Sequence, residues 1–164
     1  MRLLFGVSAV HSAVTTEGGA LMDETARRRR TGVAVAAVLA ADGVAHLYWA
    51  TGLTWPAASE RALSLAVLGT EVSFAPRVVL PLAALTLTAA GAVLAHAHGR
   101  GGRPARLVTG AVAGGLVVRG LAGLGWAAGL LDGPAGPFRA LNLALYTPVC
   151  LGLGWAAARL ARVR

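Results

Sequence analysis

"TGVAVAAVLAADGVAHLYWATGL", residues 31–53, is the stretch whose reading decides the fold. Its only acid is Asp42 and its only histidine is His46; almost everything else is apolar. A helix rises 1.5 Å per residue, so this run reaches about 35 Å, enough to cross a ~30 Å hydrocarbon layer. In lipid the backbone must satisfy its own hydrogen bonds, which makes a helix the reading. The question is then why an apolar helix carries an acid near its middle and a histidine one turn later.

The rest of the chain repeats the pattern. Of 164 residues, 56% are hydrophobic and only 13% are charged. The mean hydropathy is +0.66. A soluble domain averages about 25% charged residues. Further apolar segments cover about 78–97, 107–131 and 138–160. The expected fold is therefore all-α, an integral membrane four-helix bundle filling residues 31–160, with a lead-in over 1–30 and a basic tail at 161–164. The chain has no Lys, Ile or Gln, which fits the codon bias of a GC-rich bacterial genome. Abundant Ala, Gly and Arg then say little on their own.

The formal charge of +8 does not point to nucleic acid, because the arginines gather at the ends of apolar runs rather than along a stripe with aromatics. Ten arginines flank one side of the layer: Arg27 to Arg30, then Arg100, Arg103 and Arg106, then Arg159, Arg162 and Arg164. Three flank the other: Arg61, Arg77 and Arg139. The positive-inside rule places both termini in the cytoplasm of a bacterial plasma membrane. The lipid bilayer is the expected partner, with a homo-oligomer or a membrane protein as further partners.

The first outer loop is the long one. "PAASERALSLAVLG", residues 56–69, has Pro56 at a helix start and Gly69 at a helix end, and is too short to span. A short interfacial helix is expected there, with Trp55 in the aromatic belt. Residues 1–21 faintly resemble a signal peptide. The favoured alternative is a translation start at Met22, with residues 1–30 disordered.

Packing signals concentrate in the third segment. Ala111, Gly115, Arg119 and Gly123 recur at four-residue spacing, and Gly110 with Gly114 and Gly125 with Gly129 make small-xxx-small pairs. Small residues let helices approach closely in lipid, so this helix is expected at the centre of the bundle with Gly115 and Gly123 in its interfaces. Pro148 removes a backbone donor from the fourth helix and should distort it.

A charge at the bilayer centre costs ~2.5–3.5 kcal/mol. Asp42 and Arg119 lie at the middle of their helices, at similar depth, and are the expected pair. His46 and Trp49 continue the Asp42 face outward; Asn142, Tyr146 and Cys150 share a face of the fourth helix. Asp42, His46, Trp49, Arg119, Asn142 and Tyr146 are the candidate ligand-binding residues, read as a polar ladder opening outward. The plainer reading is interhelical glue, although such hydrogen bonds average only ~0.6 kcal/mol.

The chain resembles an uncharacterised family of small four-helix membrane proteins from high-GC bacteria, described only as a domain of unknown function. The resemblance rests on "HLYWATG" at 46–52, Arg119 followed by Gly120, and "LYTPVC" at 145–150, and covers residues 31–160. An acidic residue often stands in that family where this chain has Asn142. The resemblance implies the architecture and brings no activity.

Two function classes follow. One is a non-enzymatic membrane protein with an outward polar pocket for a small molecule or accessory partner. The other is a small oligomeric transporter or proton-linked channel. An intramembrane enzyme is disfavoured: no HExxH or GxSxG motif is present. A haem between His46 and His96 is disfavoured too, because helix rise separates them by about 18 Å along the axis. No cofactor or metal is expected. Cys150 is the only cysteine and has no disulfide partner in the chain.

Overall fold

A computed structural model describes residues 4–130 and 137–162, and it is helical throughout its regular structure. Helix α1 spans Leu4–Ala50, α2 Glu60–Val67, α3 Pro76–Ala97 and α4 Gly102–Ala127. A short α5, Pro137–Leu141, leads through a π-helical turn at Asn142–Tyr146 into α6, Thr147–Arg162. Four stretches are long and apolar enough to cross a membrane: Met22–Ala50, Pro76–Ala97, Gly102–Ala127 and Phe138–Arg162.

The element boundaries follow from local chemistry. No proline interrupts residues 1–55, and Ala, Leu and Arg are good helix formers. Helix α1 accordingly runs back through the arginines to Leu4, where a disordered lead-in was expected. It stops at Gly52, whose φ of 88° suits a residue without Cβ. Helix α2 begins later than Pro56 implied. Its cap is Ser59, whose hydroxyl accepts the Ala62 amide at 3.2 Å. Helix α3 starts at Pro76, in the first-turn position that needs no donor, which puts Pro81 in the second turn. Three positive-φ glycines, Gly99, Gly101 and Gly102, close the tight turn into α4.

The helices stand in a ring. Helix α1 packs along α3, and α4 packs along α6; the α3–α4 and α1–α6 contacts are lighter, and α1 scarcely meets α4. The third apolar segment is therefore a corner of the bundle, not its centre. Where all four helices converge, at the arginine-rich end, the core is Val35, Ala36, Ala90, Val93, Ala113, Ala157 and Leu160. At the opposite end Leu63, Phe74 and Val79 form a second core, with Trp49 packed against it. That cluster seats α2 across the end of the bundle. Leu85, Leu107 and Val118 point outward at 66%, 69% and 66% exposure. In water such a surface is an aggregation hazard; against lipid tails it is the solvent-facing side.

Glycine placement explains the α4–α6 seam. A Cβ on Gly120 would lie 2.6 Å from Leu151 Cγ, and one on Gly154 would lie 3.1 Å from the Val117 amide. Gly123 is likewise closed off, by Thr147 and Asn142. Gly115 differs from expectation, as do Gly110 and Gly114: a Cβ there meets nothing within 4 Å. The α4 face that enters the seam carries Leu116, Gly120 and Gly123, so the GxxxG pattern at 110–114 points away from every neighbour in the protomer.

Candidate functional site

Arg119 sits on the α4 face that meets α6. Its Nη1 donates to Asn142 Oδ1 at 3.0 Å. Asn142, only 1% exposed, donates through Nδ2 to the Gly123 carbonyl at 3.1 Å. The amide is thereby oriented by its partners, since only its oxygen can accept from a guanidinium. Three rings complete the enclosure. The guanidinium carbon lies 5.2 Å from the Trp126 centroid and 5.8 Å from those of Phe138 and Tyr146. Trp126 and Phe138 meet edge to face at 5.6 Å.

This is a partial solvation shell for a half-buried cation: Asn142 takes one guanidinium N–H and three rings face the charge. A hydrogen bond to a charged group contributes ~1.5–3 kcal/mol, and a desolvated cation–π contact ~2 kcal/mol. Together they exceed the ~2.5–3.5 kcal/mol cost of a cation at mid-membrane. The π-helical turn is what delivers Asn142. The Thr147 amide bonds to the Asn142 carbonyl five residues back, just where Pro148 supplies no donor to the turn before it. The distortion expected from Pro148 is thus a change of helical register that turns Asn142 toward α4. Tyr146 also reaches toward the cap, its hydroxyl 3.4 Å from the Ala66 carbonyl on α2.

Asp42 is elsewhere. It lies on α1, its side chain 49% exposed, with Oδ2 3.5 Å from His46 Nδ1. That nitrogen also lies 2.8 Å from the Asp42 carbonyl oxygen, so the histidine is tied back onto its own helix. Among the described residues Asp42 forms no ion pair with Arg119, which corrects the expected pairing. The cause is the ring arrangement, which puts α1 and α4 at opposite corners. Equal depth brings two charges together only when their helices are neighbours. Cys150 is half-buried on α6.

His46 continues into an aromatic relay. Trp49 meets His46 edge to face at 5.4 Å and meets Phe74 in the same way at 5.4 Å. Trp49 Nε1 donates to the Trp55 carbonyl at 3.2 Å. Above it, at the α2 end, a cavity of about 330 Å³ is lined by Trp49, Thr51, Thr54, Glu60 and Ser73. Glu60 is oriented there by the Phe74 amide, which donates to Oε1 at 2.7 Å. Of the six candidate residues only Trp49 reaches this cavity. The single ladder read from the sequence is therefore two sites: an enclosed Arg119, Asn142 and Tyr146 cluster on α4 and α6, and an open Asp42, His46 and Trp49 face on α1.

Sequence reasoning missed two participants in the enclosure, Trp126 and Phe138. Trp126 stands seven residues after Arg119, and Phe138, Asn142 and Tyr146 recur every four; both spacings put them on shared helix faces. His96 is buried, with Nε2 3.1 Å from the Leu160 carbonyl. Nothing in its spacing distinguishes it from His98, which is exposed and tied to Leu94.

No curated protein and no solved structure matches the chain. A family profile does match, over residues 37–157, which hold Asp42, His46, Trp49 and the whole Arg119 enclosure. With four apolar helices and these polar positions inside the matched region, the chain belongs to the family described as protein of unknown function (DUF3995).

Proposed function

We propose that this chain is a multi-pass integral membrane protein of the bacterial plasma membrane, its arginine-rich end cytoplasmic, and that Asp42 and His46 form a binding site for a small polar molecule or a membrane partner in the outer half of the bundle. The observation that carries the reading is the contrast in commitment. Arg119 is half-buried against Asn142 and three rings, whereas the Asp42 carboxylate is half-exposed and, among the described residues, is paired with His46 alone. Ionisable groups at membrane depth face cavities or pathways rather than lipid. A carboxylate that the fold leaves open is where a hydrogen-bond donor or cation binds. The enclosed Arg119 cluster is the structural strut that holds α4 against α6.

A second reading, an oligomeric transporter or proton-linked channel, draws on the same exposure: association of copies would bury Asp42 in a shared interface. Native mass spectrometry of the gently purified protein separates the two. A retained small-molecule mass on a monomer, lost in Asp42→Asn, supports the binding site. A defined oligomer that dissociates in Asp42→Asn supports the transporter. A bare monomer whose spectrum is unchanged in the variant sinks both.

A further inference from the structure

The arginine-rich end holds more than orienting charge. Arg28, Arg100, Arg103 and Arg106 converge with His96 on one cavity of about 570 Å³, and no acid lines it among the described residues. A water takes about 30 Å³ of liquid, so the space is far larger than one small ion needs. Arg28 is fixed in place: Nη2 donates to the His96 carbonyl at 2.7 Å, while Nε is buried with no acceptor among the described residues. His96 in turn is held on Leu160, so α1, α3 and α6 meet at this point. The first turn of α4 borders the cavity through Gly102 and Arg103, and its cap, Gly101, offers no side-chain acceptor to the amides there.

The positive-inside rule explains arginines near helix ends; it does not require four of them to face one concavity. Like charges gathered around one space repel one another unless a counter-charge enters. Glu24, one turn before Arg28 on α1, is paired with Arg27. A second cavity of about 500 Å³ shares Arg28 and is lined by Glu24, Arg27, Arg159 and Arg162 beside Trp155, Ala156 and Leu160. A cationic cavity at the end of helices whose outward surface is apolar, with Leu94 and Leu107 exposed beside it, matches an amphiphile rather than a soluble ion.

We propose that the cavity formed by Arg28, His96, Arg100, Arg103 and Arg106 binds a phosphate-bearing anion, presented as the headgroup of an anionic phospholipid. Guanidinium groups take phosphate oxygens in paired hydrogen bonds, and a helix N-terminus adds donors of the same polarity. Basic pockets between membrane helices recognise such headgroups.

The test is native mass spectrometry of the full chain in detergent, titrated with phosphatidylglycerol, zwitterionic phosphatidylcholine and inorganic phosphate. Phosphatidylglycerol adducts should persist where phosphatidylcholine adducts do not. Arg100→Ala/Arg103→Ala should weaken phosphatidylglycerol binding about 30-fold, from the usual contribution of two basic residues. Arg77→Ala/Arg139→Ala removes the same charge from the opposite end and should leave binding unchanged, as should Asp42→Asn. Equal loss in both double variants would reduce the site to diffuse attraction and overturn it. Displacement of the lipid by inorganic phosphate at equal concentration would overturn the lipid source.

Discussion

Arg119 and Asp42 make a controlled comparison within one molecule. Each is a charged residue near the middle of an apolar helix, and the fold treats them oppositely. Around Arg119, α4 and α6 approach closely through Gly120, Gly123 and Gly154, and that proximity brings Asn142, Phe138 and Tyr146 onto the guanidinium. Around Asp42, α1 presses on α3 through Gly43 but meets α6 only lightly, so the carboxylate keeps a free side. Satisfaction of a buried charge depends on which helix seam it enters, not on its depth.

The sharpest way to break this comparison is Asn142→Leu. It removes the one hydrogen-bond acceptor of Arg119 among the described residues and strands the cation, at a cost of roughly 3–5 kcal/mol by analogy with broken buried pairs. Thermal unfolding in detergent should show a large drop, and adding Arg119→Met should restore much of it. If Asn142→Leu unfolds like wild type, Arg119 is solvated by something else.

Next comes the seam itself. Gly123→Ala places a methyl group on Thr147 and beside Asn142, and should cost about 1–3 kcal/mol as overpacking does. Gly115→Ala, on the same helix but open, should fall within about 0.5 kcal/mol of wild type. Equal effects at both positions would mean that α4 presents a different face to α6.

The smallest expected effect tests the separation of the two charges. In a double-mutant cycle, Asp42→Leu and Arg119→Leu should be additive within about 0.5 kcal/mol, as for residues without shared partners. A coupling of several times that size would place them in contact and restore a single polar site. Asp42→Asn on its own should leave unfolding nearly unchanged, because among the described residues only His46 pairs with the carboxylate.

Much of this architecture was legible in the chain. Residues 31–53 read as a spanning helix because lipid rewards apolar length and backbone self-sufficiency, both of which are local properties. The short capping helix was legible from its length and glycine stop, although its start moved to Ser59 once a hydroxyl cap competed with Pro56. The polar residues were legible as a set, since an acid or an arginine in an apolar run is conspicuous. Their partition into two sites was not. It depends on α1 and α4 occupying opposite corners, and no periodicity within a helix encodes which other helix it will face.

Gly115 and Gly123 show where that boundary lies. Both stand four residues from Arg119, and the sequence treats them alike. One opens onto empty space and the other receives Thr147 and Asn142, because helix rotation about its axis is settled by the whole ring of contacts. The chain by itself determined that there would be four membrane-length helices, where their charges would sit along each axis, and which end would be basic. Tertiary structure alone decided that the cation would be enclosed and the acid left open, because enclosure needs side chains from a neighbouring helix brought within hydrogen-bond and van der Waals reach.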